Sequence, residues 1–233
     1  DQECKEKGLF TPLIPTIRSL GISAEPYNPD VQPIDNPPPC LYYFHAGTDT
    51  VWRHAKKSGL KARCVTFKTP YGGPTWVKKQ NAPFIFMPYQ VSVMKQWESV
   101  RAGTVMILPT MVFVKELVKL SDVLGHIGGA ISDIEKFDND HDPESWRQWI
   151  DLYHDAFEPC RIEFGSWEDL DDIIEHKTWK SKQIECEEYG KYFPDAQLYL
   201  WHQFFKERLP HIPINPYTDA QRIAAQKILH VDA

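Results

Sequence analysis

Phe84-Ile-Phe-Met-Pro-Tyr-Gln-Val-Ser-Val-Met-Lys-Gln-Trp-Glu-Ser-Val-Arg-Ala-Gly103, followed by Thr104-Val-Met-Ile-Leu-Pro109, reads as an apolar strand, a short loop, an amphipathic helix closed by glycine, and a second apolar strand. Glu98 lies eight positions after Gln90, and Gly103 five positions after Glu98. The first turn of a helix has backbone N–H groups with no partner inside the helix, and the helix dipole makes that end attractive to anions. A carboxylate two turns further along can reach a ribose hydroxyl once phosphates are docked there. That arrangement is the geometry of a nucleotide site in an α/β fold.

The same alternation extends on both sides of the stretch. Leu41-Tyr-Tyr-Phe44 predicts a short strand, with Thr48 or Thr50 capping a helix that runs to Ser58 and stops at Gly59. Ala62 to Phe67 predicts a second strand. Lys68 to Ala82, with Tyr71-Gly-Gly-Pro74, reads as a long loop. The third and fourth strands are expected at 83–87 and 104–108, around a helix at 91–102, and an amphipathic helix at 111–120. Strands that alternate with helices predict a parallel sheet with right-handed crossovers, a Rossmann-like α/β domain over 41–209.

Residues 1–40 are rich in proline and read as an arm, or as the remnant of another domain. The stretch 121–142 reads as an irregular connection and 144–157 as a helix. Cys160 to Phe164 predicts a further strand. Ser166-Trp-Glu-Asp169 is a capping-box-like start for a helix to about His176. Helices are expected at 179–188 and 195–208, and 210–233 reads as an extension with one more helix near 218–229.

The chain of 233 residues is 42% hydrophobic and 25% charged, ordinary globular values. A net charge of −6 argues against broad nucleic-acid binding, which needs a basic face. No apolar run approaches the ~20 residues of a membrane span. The 5 cysteines, Cys4, Cys40, Cys64, Cys160 and Cys186, are odd in number and form no CxxC pair. Neither a disulfide framework nor a zinc cage is suggested, and reduced thiols in a cytoplasmic protein are expected. No signal peptide is read, although a start at Asp1 leaves a removed leader open.

Glu98-Ser-Val-Arg-Ala-Gly103 resembles a motif of GT-B glycosyltransferases, a glutamate followed five residues later by glycine in the donor-binding half. Gln90 stands where many retaining members carry a glutamate. Ile162-Glu-Phe-Gly-Ser-Trp-Glu-Asp-Leu170 is similar to the end of that half. The pattern also resembles small glycosyltransferases of algae and large algal viruses, some of them xylosyltransferases. The resemblance implies a GT-B C-terminal-domain-like fold and transfer of a sugar from a nucleoside-diphosphate donor to a carbohydrate or glycoprotein acceptor. A UDP-sugar is favoured, with UDP-xylose one candidate. Glu98 would accept hydrogen bonds from ribose hydroxyls. Backbone N–H groups of Val91, Ser92 and Val93, with the Ser92 hydroxyl, would hold the diphosphate, beside Tyr89. Gln90 would touch a phosphate or the sugar, and His45 phosphate or acceptor. Lys68 and Lys95 would neutralise the leaving group, so no metal cofactor is expected.

Each of these residues also has a plainer reading. Glu98 can be an exposed helix residue, Ser92 a simple cap, His45 a loop histidine, and Lys68 and Lys95 solvated charges. Two rivals stay open. Asp138-Asn-Asp140, beside His141 and Asp142, could hold Mg²⁺ or Mn²⁺ as a GT-A-like D-x-D, or be a solvated acidic loop. A non-catalytic carbohydrate- or protein-binding module on a decayed transferase fold is the other.

Overall fold

The computed structural model describes residues 36, 38–43, 48–67, 73–88, 94–120, 147, 150–211, 213 and 216–229. Five strands form one sheet: β1 (Leu41–Tyr43), β2 (Val65–Phe67), β3 (Phe84–Ile85), β4 (Met106–Pro109) and β5 (Arg161–Phe164). The order across the sheet is β2-β1-β3-β4-β5, and every pairing is parallel. Leu41 stands opposite Val65 on one side and Phe84 on the other. Phe84 in turn faces Met106, and Met106 faces Arg161. A parallel sheet covered on both faces calls for continuous apolar strands. β1 and β4 follow this, with every residue buried, whereas β2 lies at an edge and Val65 and Thr66 are exposed.

The helices are α1 (Thr48–Lys57), α2 (Gly73–Lys79), α3 (Met94–Ala102), α4 (Met111–Leu120), α5 (Trp167–Glu175), α6 (Trp179–Arg208) and α7 (Asp219–Leu229). Side chains of α1, α2, α4 and α5, including Trp52, Trp76, Val114 and Leu170, join those of the strands in the main core. A second core lies between α3, α6 and the 3₁₀ segment Asp155–Cys160, where Trp97 stacks near Phe157 and Phe193 at centroid distances of 4.0 and 5.9 Å.

Several local expectations hold. Gly59 has φ +100, the left-handed stop expected after α1. Ser166 caps α5: its hydroxyl accepts from the Asp169 N–H at 3.1 Å, and the Asp169 carboxylate accepts from the Gly165 N–H at 2.7 Å.

Three readings need correction. The long loop at 68–82 contains α2; its first residue, Gly73, has φ +73, and Pro74 follows within the first turn, where a missing N–H costs nothing. The helix expected at 144–157 is, among the described residues, two short 3₁₀ segments, Asp151–Tyr153 and Asp155–Cys160. The two helices split around Pro194 are one helix of 30 residues, α6, about 45 Å long at ~1.5 Å per residue. Pro194 lacks the N–H that would bond the Gly190 carbonyl, yet Phe193, Ala196 and Gln197 are buried on either side of it, and packing carries the helix through.

The reduced-thiol expectation also fails. Cys40 bridges Cys64, and Cys160 bridges Cys186, at sequence separations of 24 and 26 residues. Partners so far apart leave no short motif to read; strand pairing brings the first pair together and the packing of α6 the second. The cytoplasmic setting loses its cysteine argument with them. Among the described residues no helix is long and apolar enough to cross a membrane.

Candidate functional site at the carboxyl edge of the sheet

In a parallel sheet all strands end on one edge. The chain moves from β1 outward to β2, then returns past β1 to β3 and continues to β4 and β5. The direction of winding therefore reverses between β1 and β3. At such a point the connections leaving the two strands run to opposite faces and leave a crevice above the strand ends, which is where open α/β sheets bind ligands. The described residues at this edge are mostly aromatic. Tyr43 ends β1 and lies 5.4 Å from Phe67, the last residue of β2, and 6.3 Å from Phe86, just beyond β3 (ring centroids). Met87 and Pro88 continue the buried run out of β3.

The residues named from sequence attach here by chain position. His45 follows β1, Lys68 follows β2, and Tyr89, Gln90, Val91, Ser92 and Val93 join β3 to α3. All of these lie outside the described residues, as do Asp138, Asp140, His141 and Asp142 of the acidic run. Lys95 is in α3, with its side chain outside the description. Glu98 is described: it is half-buried and already engaged in an interaction within the fold. Among the described residues no cluster of histidine, cysteine or carboxylate side chains is arranged to hold a metal ion.

α3 is anchored at both ends of its described stretch. Gln96 is fully buried and donates from Nε2 to the Leu152 carbonyl at 2.9 Å, while its Oε1 is buried with no partner among the described residues. At the far end of the helix, Gly103 has φ +66, and a Cβ there would come within 2.8 Å of the Glu187 Cα in α6. The glycine closing the glutamate-to-glycine spacing is thus required by backbone conformation and by helix packing. Gln183 of α6 donates to the Gly103 carbonyl at 2.5 Å and accepts from the Val105 N–H at 3.2 Å.

A charged network at the β4/β5 side of the sheet escaped the sequence reading. Arg147 forms a two-pronged pair with Glu163 at 2.6 and 2.7 Å, and the Arg161 Nε donates to the same carboxylate at 2.8 Å. Arg161 also donates to the His154 carbonyl at 3.0 Å. The Tyr153 hydroxyl beside it donates to the Pro109 carbonyl at 2.5 Å. Burial pushes the Arg161 guanidinium below its usual range, and Glu163 opposes that shift. The only hint in the sequence is the alternation Arg161-Ile-Glu-Phe164, which puts both charges on one face of β5.

Two cavities among the described residues lie away from the crevice. A shallow groove of about 470 Å³ runs between Pro159, α6 and α7, lined by Ile184, Tyr189 and Ile228. Another, of about 350 Å³, sits where Pro39 and Asn81 lead into β1 and β3, at the opposite edge of the sheet, against Trp179 and Lys180.

No protein-family model, no curated protein and no solved structure matches the chain. The fold defines a Rossmann-like α/β protein in general form.

Proposed function

We propose that the chain is the nucleotide-sugar-binding unit of a GT-B-like glycosyltransferase. It would pass a sugar from a nucleoside-diphosphate donor, a UDP-sugar by preference, to a carbohydrate or glycoprotein acceptor. The observation that carries the reading is the reversal of winding between β1 and β3: His45 follows β1, residues 89–93 follow β3, and β3 leads on to the helix bearing Glu98, while Lys68 follows the neighbouring β2.

In this reading the diphosphate docks against the N–H groups of 91–93, and Glu98 accepts from the ribose hydroxyls. The acceptor hydroxyl oxygen bonds to the anomeric carbon as the bond from that carbon to the diphosphate breaks. The acceptor proton leaves to a base, for which His45 is the candidate, and Lys68 and Lys95 meet the charge growing on the leaving diphosphate.

A second reading is favoured by one observation. Gly103 is explained by its contact with α6, so the motif's specific content rests on Glu98 alone. A carbohydrate-binding module without catalysis could use the same crevice.

The test is a thermal-shift and calorimetric comparison of the parent with Glu98→Gln, against UDP, GDP and simple sugars. A ligand at a hundred times its Kd stabilises the fold it binds by about 2.7 kcal/mol. UDP is expected to raise the melting temperature of the parent and to bind Glu98→Gln at least tenfold more weakly. Sugar binding without nucleotide binding supports the module instead. Equal UDP affinity in the two proteins, or no response to either nucleotide, overturns the transferase reading.

A further inference from the structure

The sheet has two edges, β2 and β5, and a cysteine stands immediately before each: Cys64 precedes Val65, and Cys160 precedes Arg161. Each is bridged to a neighbouring element. Cys64 is tied to Cys40, the residue before β1, whose carbonyl also accepts from the Val65 N–H at 2.9 Å. Cys160 is tied to Cys186 in α6, four residues before Gly190. An edge strand hydrogen-bonds to one neighbour only, and these two are short, 3 and 4 residues. Cys40, Cys160 and Cys186 are fully buried.

From this placement we infer that both bridges are formed in the working protein, that they staple the two edges of the sheet, and that the chain therefore matures in an oxidising compartment. Structural disulfides persist in such compartments and are reduced by thiol buffers elsewhere. The chemistry is thiol–disulfide exchange. For each bridge two cysteine thiols lose two hydrogens and are joined, and one low-molecular-weight disulfide, such as glutathione disulfide, is reduced to two thiols. The inference is independent of any nucleotide or sugar.

The experiment uses the full chain secreted through an oxidising compartment. Free thiols are blocked with iodoacetamide in denaturant, the protein is digested without reduction, and the peptides are identified by mass spectrometry. Two linked pairs are expected, Cys40 with Cys64 and Cys160 with Cys186, each lighter by two hydrogens than its separated peptides. A thermal scan with and without dithiothreitol, on the same sample, should show a lower melting temperature after reduction. Alkylated thiols at these four positions in folded protein, a different pairing, or one bridge without the other overturns the inference. So does an unchanged melting temperature once the map shows that both bridges have been cut.

Discussion

Replacing Gly190 by alanine sets two effects of opposite sign against each other. Gly190 lies inside a long helix, where alanine is favoured over glycine by about 1 kcal/mol because it has less backbone freedom to lose. Helix propensity alone predicts a more stable protein. The packing of α6 on α3 predicts the reverse. A Cβ at this position would stand 2.5 Å from the Val100 carbonyl oxygen, 3.1 Å from the Gly103 nitrogen and 3.2 Å from the Gly103 Cα. All three are backbone atoms, so no side chain can rotate to make room. The helices must separate, or the end of α3 must shift.

Overpacking of this kind costs about 1–3 kcal/mol, and rigid backbone neighbours put it at the upper end. Set against the propensity gain, the net loss is about 2 kcal/mol. For a chain of this length that is about 4–8 °C in melting temperature. The natural control is Gly165→Ala, where the nearest atom a Cβ would meet is the Asp169 Oδ2 at 4.0 Å. It should change stability by less than about 0.5 kcal/mol. The assay is paired thermal and urea unfolding of the three proteins. A Gly190→Ala protein as stable as the parent, or more so, would refute the close crossing of α3 and α6.

Two further outcomes can be checked on the same samples. Glu163→Ala removes the only carboxylate among the described residues that pairs with Arg161, and should cost about 3–5 kcal/mol in urea unfolding, as expected when one partner of a buried pair is lost. Arg147→Ala should cost less, because Glu163 then keeps Arg161; equal losses would show that Arg147 and Arg161 depend on Glu163 alike. Burial pushes the Tyr189 phenol from 10.0 to about 12. Between those values the unfolded chain releases a proton that the fold retains, so stability falls as pH rises through that window. Tyr189→Phe should remove one tyrosine from the late-titrating phenolate absorbance and flatten the alkaline loss; an unchanged slope would show that Tyr189 is not its source.

Much of the architecture was legible along the chain because it is written in short-range signals. Apolar runs at 41–43, 84–85 and 106–109, the stop at Gly59, the cap at Ser166 and the amphipathic pattern of 111–120 each involve residues close in sequence, and each local preference agrees with the final fold. Failures came where a distant neighbour outweighed a local preference. Pro194 should end a helix, but buried side chains on both sides of it hold α6 together. Tyr71-Gly-Gly-Pro74 has the composition of a turn, yet Trp76 and Val77 bury against the sheet and make the following residues α2.

For the site, sequence alone determined which residue types stand after each strand and how Glu98 is spaced from Gln90 and Gly103. Only the tertiary structure decided the strand order, and with it the reversal of winding between β1 and β3. It also decided the partners of four cysteines and gave Gly103 its packing role against Glu187. The physical reason is the same in each case. Propensity, capping and periodicity act over a few residues, whereas cross-linking, strand neighbours and close helix crossings join positions tens of residues apart, and no local pattern encodes them.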